Sequence, residues 1–265
     1  MSTRHAPTIG RGFAIVAALI ATACVTKSPA ARAPGKLLYV WAGPRDGESL
    51  AASSAAGDSA GRSDFIAVVD ADPASARYGA VIASGSTGLP GMMPHHMELS
   101  FPTGHALFAS DYMTGQIFLV DVSDPLAPRV TARIDSVPGY RRPHSFARLA
   151  SGHVLATMQN GNGRAPGDPG GVAEFDADGR LVRTSSASDA QFAGAHIRPN
   201  GIELLPAIDR MVTTSMPMDD ESTADVVQVW RISDLRLLHT IALPKVAGDT
   251  SLHMPYDSRT LPDGH

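Results

Sequence analysis

Past residue 35 the apolar positions fall in short runs, and Gly, Pro and Asp cluster between the runs. Such runs include "KLLYVW", "DFIAVVDAD", "ALFASD", "QIFLVDV", "HVLATM", "GVAEFDA", "RMVTTS" and "VVQVWRI". Some alternate apolar with polar residues, as half-buried strands do, and others are apolar throughout, as strands covered on both faces are. No stretch there keeps an amphipathic helical period for three turns, so the pattern predicts an all-β protein. The 25 Gly and 20 Pro agree with many short strands joined by tight turns.

A repeat separates a propeller from a sandwich. "HMELSFPTGHALFAS" from His96 and "HSFARLASGHVLATM" from His144 share a histidine, a strand, a Gly-His pair and a second strand. "GIELLPAIDRMVTTS" from Gly201 has the same layout with glycine in the histidine's place, and "HMPYDSRTLPDGH" from His253 begins it again. An interval of roughly fifty residues is the length of a four-stranded propeller blade. Behind each hairpin comes a strand with an Asp-containing turn, the usual hairpin chemistry. "DFIAVVDADPASARYGAVI" supplies the outer half of one more blade. The expected fold is a β-propeller over residues 36–265, with about four to five blades present. An end at Gly264-His265 would leave an open strand edge, so the reading is of a domain incomplete at its C-terminus. The alternative is a small ring closed by "KLLYVW".

The N-terminus carries a different signal. Arg4 and Arg11 precede the apolar run "FAIVAALIATA", which is too short to span a bilayer and right for a signal-peptide core. The run ends at Cys24 in "ATAC", a lipoprotein-type processing box in which Ala21 replaces the usual Leu. Residues 1–24 therefore read as a signal peptide with Cys24 as lipidation site, and 25–35 as a flexible tether. The alternative is a cleaved, unanchored form. The expected location is the periplasm or a lipid anchor on the bacterial cell envelope. Cys24 is the only cysteine, which excludes a disulfide framework. With 22 Lys plus Arg against 26 Asp plus Glu, the chain lacks the basic footprint of a nucleic-acid binder. The sequence names no protein partner.

The chemistry concentrates in histidine. Equivalent residues of innermost propeller strands face one channel, so His96, His144 and His253 are expected there together, with His95 beside the first. Imidazoles gathered without thiolate or several carboxylates suit Cu, Zn, Fe or Ni rather than Ca or Mg. Each histidine also has a plain structural reading as a satisfied polar residue opening a strand. His105 and His153, one per hairpin, are expected on exposed turns, and His196 and His239 have no repeat partner. Met92, Met93 and Met97 read as packing rather than sulfur ligands. No Gly-x-Ser-x-Gly elbow is present. A lactonase-like hydrolase would need channel carboxylates, and Glu98 is the only candidate beside the histidines.

Taken in order, "DFIAVVDADPASARYGAVI", the His95-His96 pair, "GQIFLVDVSDPLAPRV", "HSFARLASGHVLATM", "GNGRAPGDPGGVAEFDADGRLV", "VVQVWRISDLRLLHTIALP" and "SLHMP" resemble the selenium-binding protein family. Its characterised members include methanethiol oxidases, and order and spacing match over residues 37–255. The resemblance implies a seven-bladed propeller with a histidine-built copper site. It implies oxidation of a small thiol, methanethiol, by O2 and water to formaldehyde, hydrogen sulfide and hydrogen peroxide. Carried over, the tandem pair corresponds to His95 and His96, the next-blade histidine to His144, and His253 to a Leu-His-x-Pro segment. Two departures stand out: the family's C-terminal blades with a further histidine are absent, and so is the cysteine linked to selenium binding in animal members. Missing blades would impair the oxidase, and the alternative function is a non-catalytic, lipid-anchored binding or scaffold propeller.

Overall fold

The structure is a computed structural model that describes residues 36–43, 63–90, 93–100, 106–161, 168–218, 224–244 and 254–261. Among the described residues the apolar runs form four antiparallel sheets whose strands follow sequence order. Blade I has three strands, β1 (Leu37–Ala42), β2 (Ser63–Asp70) and β3 (Val81–Pro90). Blade II is β4 (Pro94–Met97), β5 (Ala106–Asp111), β6 (Ile117–Asp121) and β7 (Arg129–Ile134). Blade III is β8 (Tyr140–Arg148), β9 (Val154–Gly161), β10 (Gly171–Phe175) and β11 (Leu181–Ser186). Blade IV is β12 (Pro199–Leu205), β13 (Arg210–Ser215), β14 (Val226–Arg231) and β15 (Leu237–Ala242). Among the described residues the only helical elements are two 3-10 turns, Ala190–Phe192 and Pro206–Ile208. This is the β-propeller that the fifty-residue repeat predicts. "KLLYVW" pairs with β2 as the first strand of blade I, rather than closing a ring on a last blade.

Burial explains why the middle strands of the two central blades are largely apolar. Each pair of successive blades traps one apolar layer, so β5, β6, β9 and β10 of blades II and III are covered on both faces. Ile66 of blade I meets Leu107, Phe118 and Val120 of blade II, with Tyr39 and Trp41 packed alongside. Phe108, Ile117 and Leu119 of blade II meet Phe146, Val154 and Phe175 of blade III. Leu155 and Val172 of blade III meet Ile202, Met211 and Trp230 of blade IV. The outermost strands β7 and β11 face solvent and alternate accordingly. The first strands β1, β4, β8 and β12 lie side by side in that order around the axis.

Each of these inner strands in blades II to IV carries the same irregularity. In β4, Pro94 pairs with Asp111 and Met97 with Ala109, so His95 and His96 together oppose Ser110. In β8, Pro143 pairs with Met158 and Phe146 with Ala156, which leaves His144 and Ser145 opposite Thr157. In β12, Pro199 pairs with Ser215 and Ile202 with Thr213, and Asn200 and Gly201 oppose Thr214. Two residues against one is a β-bulge. In each, the opposing hydroxyl accepts from the second bulge residue: His96 N to Ser110 Oγ at 3.3 Å, Ser145 N to Thr157 Oγ1 at 2.9 Å, Gly201 N to Thr214 Oγ1 at 2.8 Å.

Blade III therefore sits one residue off the expected alignment, whereas the expected match of His96 with Gly201 holds. His95, His144 and Asn200 share the first bulge slot, and His96, Ser145 and Gly201 share the second. Aligning on histidine matched His144 to the wrong member of the pair, because the feature that sets the register is the proline opening each bulge. The segment 254–261 continues the series beyond β12. Thr214 Oγ1 donates to Tyr256 O at 2.9 Å as Thr157 Oγ1 donates to Asn200 O at 2.7 Å, which puts Tyr256, after Pro255, in the first slot of a fifth repeat.

Candidate metal centre

A regular strand sends neighbouring side chains to opposite faces. The bulge in β4 breaks that rule and aims both His95 and His96 at the axis side of blade III, where the bulge in β8 presents His144. Ring centroids are 4.6 Å apart for His95–His96, 4.5 Å for His95–His144 and 3.9 Å for His96–His144. One ligand nitrogen from each ring lies within 4.8 Å of the others, so the group could hold a metal ion. At metal–nitrogen bonds of about 2.0–2.1 Å the donors around a tetrahedral ion lie roughly 3.4 Å apart, so the rings would close in on binding. His144 is fully buried, whereas His95 and His96 are half-buried. His95 Nε2 and His144 Nε2 are buried with no hydrogen-bond partner. An orphaned buried nitrogen is costly in a plain core and fitting for a ligand.

The surroundings keep the rings neutral. Burial pushes His144 down to about 2, and the neighbouring His96 and His95 push in the same direction, with the Asn200 backbone opposing least. Burial likewise lowers His96 to about 4, helped by His95 and Arg259. His95 is lowered by burial and partly restored by Asp111. At neutral pH the lone pairs are therefore available without displacing protons.

Several neighbours complete the site. Ser145 Oγ lies 3.1 Å from His144 Nδ1 and 3.4 Å from His96 Nδ1. The Tyr112 ring packs against His95 with centroids 5.0 Å apart, and Arg142 Nη1 donates to Tyr112 Oη at 2.6 Å. Arg142 holds φ 59, a left-handed conformation that a non-glycine residue adopts at a cost. In blade IV the equivalent slot is closed: Asn200 accepts from Gln159 Nε2 at 2.8 Å and donates to Tyr256 O at 2.6 Å. The three-histidine group thus comes from blades II and III alone. None of Ser145, Tyr112, Arg142 or Asn200 stood out in the sequence, although the Pro-x-x pattern at Pro94, Pro143 and Pro199 could have flagged Ser145 and Asn200.

Other residues resolve differently. His253, His105, Met92 and Cys24 lie outside the described residues. Glu98 does not join the histidines, because it accepts from Arg148 Nε at 2.8 Å, Arg148 Nη2 at 2.6 Å and Phe108 N at 2.8 Å. His153 is not a freely exposed turn residue, since its Nδ1 meets Glu174 Oε1 at 2.7 Å. Met97 packs with the layer between blades I and II, and Met93 is exposed.

By fold, the chain is similar to a hypothetical selenium-binding protein of Sulfolobus tokodaii, with a TM-score of 0.58 and 16% identity over 69% of this chain and 46% of that one. Proteins of unknown function from Bacteroides caccae (TM-score 0.43, 12% identity, 68% of this chain and 60% of that one) and Desulfotomaculum acetoxidans (0.47, 12%, 67% and 50%) match less well. The aligned part is thus under half of the Sulfolobus protein. At this identity the likeness is one of fold. No family model matches the chain, and no curated protein does.

Proposed function

We propose that this chain is a copper-holding propeller of the selenium-binding-protein type that oxidises a small thiol, methanethiol or a close relative, with O2. The observation that carries the reading is the convergence of His95, His96 and His144 with two buried, unpartnered Nε2 atoms. An all-nitrogen donor set suits copper among the common metals, and zinc or another transition ion is the competing occupant. The propeller fold shared with a protein called selenium-binding supports the same reading.

His95, His96 and His144 would hold the ion, and copper there would supply the redox chemistry for oxidising a thiol. The chain's own residues do the rest. Burial around His144 excludes water from the inner side of the group, and burial also keeps the imidazoles unprotonated. Tyr112 braces the His95 ring and is itself braced by Arg142. The half-exposed faces of His95 and His96 leave a side open to a small substrate. An exported protein on the cell envelope, anchored through Cys24, fits this role and is part of the proposal.

The test is metal analysis of the full chain purified from the periplasm, followed by a methanethiol assay for hydrogen sulfide and peroxide. One equivalent of copper, lost in His96→Ala, is expected. A folded, metal-free protein that ignores added copper would overturn the reading and leave a scaffold or binding propeller.

A further inference from the structure

We propose that Ser145 is the positioning residue of the histidine group: its hydroxyl oxygen accepts from Nδ1–H of both His144 and His96 and so turns their Nε2 lone pairs toward the shared centre. The bearing on metal binding rests on the function proposed above; the hydrogen bonding does not. Ser145 occupies in blade III the bulge slot that His96 occupies in blade II. That slot puts its hydroxyl on the same side as the ring of its own chain neighbour, 3.1 Å from His144 Nδ1, which a regular strand would forbid. The same oxygen reaches 3.4 Å to His96 Nδ1 and so links two blades. A hydroxyl oxygen has two lone pairs, enough to accept from both rings.

The tautomer follows from which nitrogen has a partner. His144 Nε2 is buried with no hydrogen-bond partner. A proton placed there would be a buried N–H without an acceptor, whereas a proton on Nδ1 has Ser145 Oγ to receive it. The serine is itself held in place: its backbone N–H donates to Thr157 Oγ1 at 2.9 Å, and Thr157 Oγ1 donates to Asn200 O at 2.7 Å. Fixing the non-ligating nitrogen of a histidine is how an outer partner sets ring orientation and basicity.

The first experiment uses the metal-free full chain with 15N-labelled histidine and long-range 1H–15N correlation spectra at neutral pH. His144 and His96 are expected as Nδ1–H tautomers in the wild type, with the population moving toward Nε2–H in Ser145→Ala and returning in Ser145→Thr, which keeps the hydroxyl. An Nε2–H tautomer in the wild type, or spectra of His144 and His96 unmoved by Ser145→Ala, would overturn the assignment. The second experiment titrates Cu2+ against a competing chelator. Ser145→Ala is expected to bind about 10–100-fold more weakly with an altered EPR hyperfine pattern, and Ser145→Thr to restore both. Equal affinity and identical EPR spectra in Ser145→Ala would refute the positioning role while leaving the copper reading standing. No copper uptake by any form, alongside the expected tautomer response, would remove the copper reading and leave the Ser145 hydrogen bonds established.

Discussion

Acidifying the metal-free protein should weaken it through His144. The folded state holds this ring near 2, against about 6.5 in an unfolded chain. A depressed histidine means that below about pH 6.5 the unfolded chain takes up a proton that the folded one refuses, so stability falls as pH falls. Over the roughly 1.5 units between pH 6.5 and 5, at about 1.36 kcal/mol per unit, His144 accounts for a loss of about 2 kcal/mol. His96, held near 4, acts in the same direction, but its ring is partly exposed and solvent screening cuts its share to about 1 kcal/mol. A combined loss of about 3 kcal/mol corresponds to a fall in Tm of about 6–12 °C for a domain of this size. The assay is thermal unfolding of the chelator-treated chain between about pH 7.5 and 5, for wild type and His144→Asn. Asparagine is the substitution of choice because Asn200 fills the same slot in the next blade. The variant should lose about two-thirds of the acid sensitivity, since the His144 share is about 2 of about 3 kcal/mol. Parallel curves for the two proteins would refute the argument that burial of a neutral His144 governs the acid limb.

Other outcomes follow from the same geometry. Arg148→Ala strands the buried Glu98 carboxylate, whose side chain is 1% exposed, and should cost about 3–5 kcal/mol in denaturant unfolding. Arg148→Met with Glu98→Gln should cost less than the single change, because no buried charge is left unpaired. Gly170→Ala should abolish or severely reduce soluble protein, because a Cβ there would sit 2.0 Å from Met158 O, a backbone atom that cannot move aside. Copper at about a hundred times its Kd should stabilise the wild type by about 2.7 kcal/mol and leave the Tm of His96→Ala unchanged; a copper-dependent rise in that variant would argue against His96 as ligand.

The bulge limits what could be read ahead of the fold. Strand propensity, turn residues and the length of the repeat are local properties, and each is present in the order of the residues. The pairing of His144 with His95 rather than His96 is not local. It depends on two residues opposing Ser110 in one blade and two opposing Thr157 in the next, and a one-residue shift exchanges which side chains share a slot. Similar reasoning applies to Glu98. Its place beside the histidines in sequence made it the one carboxylate candidate for a lactonase-like site, whereas Arg148, fifty positions away, claims both of its oxygens in space.

By itself the sequence determined an all-β chain of repeating four-stranded units and singled out the adjacent histidines and His144, because strand formation and repetition are written residue by residue. Only the tertiary structure decided that these three rings share one centre, that Ser145, Tyr112 and Arg142 surround it, and that blade IV closes its own slot with Asn200. Packing blade against blade brings together side chains about fifty residues apart, and no local pattern encodes which of two neighbours a bulge turns inward.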